Sequence, residues 1–110
     1  MPDAWIDAMM AHFDHGTQRA ILRLYRSSPP RRLAAAGAHL GVLDCPAMVV
    51  WGEQDPFIPP RFAQDFAQAL GGPAEVLSMA DAGHWPWIDR PDLIDTIARF
   101  LDAGEPGRSA

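Results

Sequence analysis

PAMVVWGEQDPFIP, residues 46–59, is the stretch that decides the fold. From Pro46 the chain runs through Ala47, Met48, Val49, Val50 and Trp51 without a polar break. A continuous apolar run of this length suits a strand covered on both faces, as in a parallel sheet. Gly52 ends the run and permits a tight turn. Asp55 then stands before Pro56, which stiffens the exit. In open α/β sheets, ligands gather beyond the carboxyl ends of the strands. On its own, an aspartate before a proline reads as a capped turn, a common loop device, ahead of a chemical group.

The residues that follow shift that balance. Residues 60–70 read as a helix, with Phe62, Phe66 and Leu70 spaced four apart and Ala63 and Ala67 beside them. Gly71-Gly72-Pro73 ends it. Ala74 to Met79 reads as a second strand, and the 52–74 connection is long enough for a crossover helix, so the two strands are expected to be parallel. A loop, DAGHWPWIDR (81–90), comes next. A last helix starts near Pro91, a favoured first-turn residue, with Leu93, Ile97 and Leu101 on one face and Ile94 and Ala98 adjoining. Gly83 lets the backbone bring His84 inward, and Pro86 fixes the exit. Two neighbouring strand ends thus present a carboxylate and an imidazole on one sheet edge. An aspartate placed so accepts the imidazole N–H, fixes its tautomer and stabilises the imidazolium formed when the ring takes a proton.

Residues 46–59 followed by AGHWPWIDRP (82–91) resemble the alpha/beta-hydrolase fold family in both motifs, their order and their separation. The resemblance covers roughly residues 40–102, and residues 1–40 are similar to the end of a helical cap and its return to the core. It implies an α/β fold: the C-terminal portion of an alpha/beta-hydrolase, two parallel strands with crossover and terminal helices, preceded by cap-like helices. The implied division is 1–40 cap remnant and return segment, 41–102 core and 103–110 flexible tail. Carried over residue by residue, Asp55 matches the triad acid and His84 the triad base, for hydrolysis of an ester-like small molecule. No cofactor and no metal is implied. Phe57, Trp85 and Trp87 are substrate-pocket candidates, with one tryptophan expected in the core and the other walling the pocket.

The nucleophile is not identified. The family places it in a G-x-S-x-G elbow, or one centred on Asp or Cys. The one window with glycines four apart, GAHLG (37–41), is centred on histidine and follows no buried strand. Ser27 and Ser28 precede a double proline, with no strand-to-helix elbow. Cys45 enters the first strand at its far end, roughly 16 Å from the edge that carries Asp55, so it reads as a buried or inert thiol. Asp14 and Asp44 have no supporting turn. The family's His-Gly oxyanion motif is also missing. The chain therefore reads as a fragment that is inactive alone, or as a split half or non-catalytic interaction module that binds a partner chain. A two-stranded sheet made of central-type strands supports either, since both of its edges stay open.

The rest of the sequence narrows the partners. Helices are expected over 3–13 and 17–26, with Gly16-Thr17 as break and cap. Ser27-Ser28-Pro29-Pro30 is a stop, and RRLAAA (31–36) a short helix ended by Gly37. The 110 residues carry a net charge of −5, with 9 basic residues, all arginine. That balance argues against a nucleic-acid partner, and the Arg19, Arg23, Arg26, Arg31, Arg32 cluster reads as a solvated helix face. His12 and His15 flank Asp14 at metal-ligand spacing, yet surface histidines are the simpler reading. One cysteine permits no internal disulfide. The acidic N-terminus does not read as a signal peptide, and no stretch approaches the ~20 apolar residues of a membrane span. The reading is a cytoplasmic protein with a small-molecule substrate if a missing half completes it, and with self-association or a partner chain as the alternative.

Overall fold

The computed structural model describes residues 2–104, in two compact units, residues 2–39 and 40–104. The first holds three helices, α1 (Asp3–Ala11), α2 (His15–Ser27) and α3 (Pro30–Gly37), and none of them buries a residue. The break between α1 and α2 falls earlier than the glycine suggested. Asp14 caps α2 by accepting the Thr17 N–H at 2.7 Å, so Gly16 lies inside the helix. A carboxylate takes an orphan first-turn donor that glycine leaves open. The same bond gives Asp14 Oδ1 a capping role between His12 and His15. Pro29 ends the run after α2, and Pro30 starts α3 at a position where its missing N–H costs nothing.

The second unit is α/β. A short 3₁₀ turn (Leu40–Val42) leads to β1 (Ala47–Gly52), α4 (Arg61–Ala69), β2 (Ala74–Met79), α5 (Pro86–Asp89) and α6 (Leu93–Ala103). The strands pair in parallel, in register from Ala47 with Ala74 to Gly52 with Met79. Alternation gives the sheet two faces. Trp51 meets Phe66 of α4 on one, with ring centroids 6.3 Å apart. On the other, Val50 and Leu77 join Met79, Ala82, Leu93 and Ile97 in the core. At the end of α4 the Gly71 and Gly72 N–H groups both donate to Leu43 O, at 3.0 and 2.9 Å, tying the crossover back to the segment before β1.

Three expectations are corrected. The strands are only half-buried along most of their length, because each has a single strand neighbour here. The α6 face fades along the helix: Leu93 is buried and Ile97 half-buried, but Leu101 is 62% exposed and Ile94 58%. Two strands spaced ~4.8 Å apart are too narrow a floor for the whole stripe. Cys45 is exposed rather than buried. Ala103 and Gly104 close α6, and residues 105–110 of the expected tail lie outside the described residues. Among the described residues no helix is long and apolar enough to cross a membrane.

Candidate active site

The site is built on the turns that leave β1 and β2 side by side. Past Gly52 the ladder is prolonged by Glu53 N–H to Met79 O at 2.9 Å and Gln54 N–H to Ala82 O at 3.0 Å. This close approach requires glycine at 52, since a Cβ there would overlap the carbonyl oxygens of Gly83 and Ala82. The turn closes with Asp55 N–H on Gly52 O at 3.2 Å. Asp55 then organises the next residues with its own side chain. Oδ1 accepts the N–H groups of Phe57 at 2.8 Å and Ile58 at 3.1 Å. Pro56 fits between Asp55 and Phe57 because it has no donor to place.

That leaves Oδ2 free to face the other loop, where it lies 2.8 Å from His84 Nδ1. The Asp55 side chain is 7% exposed and that of His84 30%. Desolvation raises the Asp55 pKa, but the hydrogen bond from His84 and those from the Phe57 and Ile58 amides outweigh it, and the carboxyl is held below its ordinary range. An ionised carboxylate only accepts hydrogen bonds, so Nδ1 carries the proton and the Nε2 lone pair of the neutral ring is left for chemistry. Phe57 and Trp85 stand edge-on to the imidazole, with centroids at 5.1 and 4.9 Å.

The His84 loop is stiffened by carboxylates and an arginine. Gly83 N–H donates to Asp89 Oδ2 at 2.8 Å. Arg90 forks onto Asp92 at 3.0 and 2.9 Å and donates to both oxygens of Asp81 at 3.0 and 3.1 Å. Hydrogen bonds with these two carboxylates push the Arg90 pKa up, and the Arg90 hydrogen bond holds Asp92 down. Gln54 Nε2 reaches Ala80 O at 2.9 Å and Ser78 Oγ donates to Glu53 Oε1 at 2.7 Å, lacing the two loops together.

Asp55 and His84 both line a cleft of about 160 Å³ with Trp51, Ile58, Pro86 and Trp87. A ligand-sized pocket runs to ~300 Å³ or more, so this cleft has room for a reacting group rather than a whole substrate. Neither tryptophan packs in the core: Trp87 walls the cleft at 43% exposure, and Trp85 is half-buried between His84 and Trp87. Phe57 touches the imidazole but is 73% exposed and does not line the cleft. Among the described residues no three His, Cys, Asp or Glu side chains gather as metal ligands. A larger apolar groove, about 810 Å³, lies within residues 2–39 between Trp5, Met9, Phe13 and Ile21, and it holds no acid–base pair.

Comparison with known proteins shows the family. The family described as alpha/beta hydrolase fold matches residues 1–91. The chain belongs to the alpha/beta hydrolase fold family. The family match reaches back through all of α1 to α3, beyond the stretch from about residue 40 on which the sequence motifs rest. Uncharacterized proteins of Mycobacterium tuberculosis and Mycobacterium bovis are similar to this chain at 34% identity over 62 residues, 56% of the chain and 18% of each relative. The match thus takes in under a fifth of those relatives' length.

Sequence reasoning found Asp55 and His84 but missed the residues that hold their loops: Gln54, Glu53, Ser78, Asp81, Asp89 and Arg90. An arginine at 90 between acids at 81, 89 and 92 was the available signal for the clamp. Nothing in the sequence marked Gln54 or Ser78.

Proposed function

We propose that Asp55 and His84 are the orienting acid and the general base of a nucleophile–histidine–acid triad that hydrolyses an ester-like small molecule. The nucleophile comes from polypeptide other than these 110 residues. The observation that carries this reading is the 2.8 Å contact from Nδ1 to Oδ2, made by a carboxylate whose other oxygen is already held by two backbone amides. An acid so fixed keeps the ring from rotating, and it stabilises the imidazolium without taking its proton. The proton passes from the attacking hydroxyl or thiol to Nε2, and from there to the leaving group.

Among the described residues no serine or cysteine lines the cleft with His84, so the chain by itself supplies the second half of this relay without its nucleophile. Assay of the purified chain on activated short-chain esters, beside His84→Ala, tests that claim. The expected result is the same background rate in both. A substantial His84-dependent turnover would overturn it.

A second reading, an interaction module for a partner chain or a second copy, is supported by the large apolar side chains left open. Trp5 is 53% exposed, Met10 63% and Leu101 62%. Light scattering on the purified chain tests this second reading: self-association favours the module, and a stable monomer with cooperative unfolding argues against it.

A further inference from the structure

The peptide unit joining Ala82 to Gly83 is gripped at both ends. Its carbonyl, on Ala82, accepts the Gln54 N–H at 3.0 Å. Its N–H, on Gly83, donates to Asp89 Oδ2 at 2.8 Å. A peptide is planar, so two bonds on opposite sides fix its orientation. The grip comes from two directions: Gln54 is the residue before Asp55, and Asp89 ends α5 on the far side of His84. Ala82 is fully buried, which anchors the unit against the core. His84 is the next residue after Gly83. Glycine rotates freely about its own bonds, so a peptide held by Gln54 alone could swing and carry the imidazole off Asp55. Asp89 is itself fixed by the turn of α5, where Ile88 N–H meets Trp85 O at 2.9 Å and Arg90 N–H meets Pro86 O at 2.8 Å.

We propose that Asp89 is a positioning residue for His84. Its carboxylate locks the Ala82–Gly83 peptide and so sets the Nδ1 contact with Asp55. The role rests on the reading of His84 as the base, but it is stated for the geometry of the ring and not for turnover. It differs from general stiffening of the loop, because Arg90 and Asp81 tie the same loop without touching this peptide.

NMR on the full chain reads both bonds: the amide exchange rate of Gly83 and the downfield resonance of the His84 Nδ1 proton. In Asp89→Ala, Gly83 exchange should rise about tenfold or more, as expected when a charge-assisted bond is lost, and the Nδ1 resonance should broaden away while the rest of the spectrum stays folded. Asp89→Asn keeps an acceptor oxygen, so the Nδ1 resonance should persist while Gly83 exchange rises by less. Asp81→Ala should leave both signals as in the unaltered chain. An Nδ1 resonance and Gly83 exchange unchanged in Asp89→Ala overturn the proposal, as does equal loss of both in Asp81→Ala. Should the alanine chain not fold, unchanged Gly83 exchange in Asp89→Asn overturns it. Failure of the triad reading shows elsewhere, in a kcat that ignores His84→Ala once a nucleophile-bearing family segment is fused ahead of the chain, and leaves these resonances untouched.

Discussion

The acid turn holds Asp55 with hydrogen bonds to Phe57 and Ile58, two and three residues on. The histidine loop holds His84 with bonds spanning six residues, from Gly83 to Asp89, and nine, from Arg90 to Asp81. Both reach the same sheet edge. The first is a local device that a few residues specify unaided; the second is a frame assembled from carboxylates that must fold into place around the imidazole. Damage to the core or to the frame should therefore move the histidine before the acid.

The largest effect is expected at the floor under the histidine loop. Leu93 is 1% exposed and packs with Met79 and Ala82. Leu93→Ala should cost about 3 kcal/mol in denaturant unfolding, and amide exchange should show protection at Gly83 falling before protection at Phe57. Equal loss at both sites would break the contrast between the loops. Gly52→Ala comes next. A methyl group against the carbonyls of Ala82 and Gly83 should push the loops apart and cost about 2 kcal/mol, read from the same unfolding curves.

Acid is a gentler probe. The Asp55 carboxyl is held below its ordinary value in the folded chain, so its contribution is fully present above the unfolded value and is lost as pH falls through the lower folded one. Unfolding measured below about pH 4 should show a drop in stability that is smaller in Asp55→Asn. The smallest effect belongs to the exposed Arg90 fork. Arg90→Met should lower stability only slightly, and the difference should shrink further in high salt. A large, salt-insensitive loss would mean that the frame depends on Arg90 more than the Gly83–Asp89 bond.

The contrast also accounts for what the sequence disclosed. The β1 run, the Gly52 turn and Asp55 were legible because period, breaker and proline all act within a few residues. Strand β2 and its parallel pairing followed from the crossover length. His84 was legible through the glycine before it and the proline after it. The helix cap at Asp14 was hidden by the more conspicuous Gly16 two residues later. The open face of α6 and the half-buried strands could not be read, since apolar periodicity says which side of an element seeks cover, not how much sheet lies beneath it. Gln54, Ser78 and Asp89 are polar loop residues whose partners are fixed only by the fold.

The central claim is that Asp55 and His84 act together as the acid and base of a hydrolase. It is tested most directly by fusing ahead of the chain a family N-terminal segment with a G-x-S-x-G turn, and measuring kcat on an activated ester. The account predicts that Asp55→Asn and His84→Ala each lower kcat, by about 10⁴-fold for the aspartate, and that the double variant is no worse than the poorer single one. A fusion whose kcat falls with His84→Ala but stays within about tenfold in Asp55→Asn would contradict it.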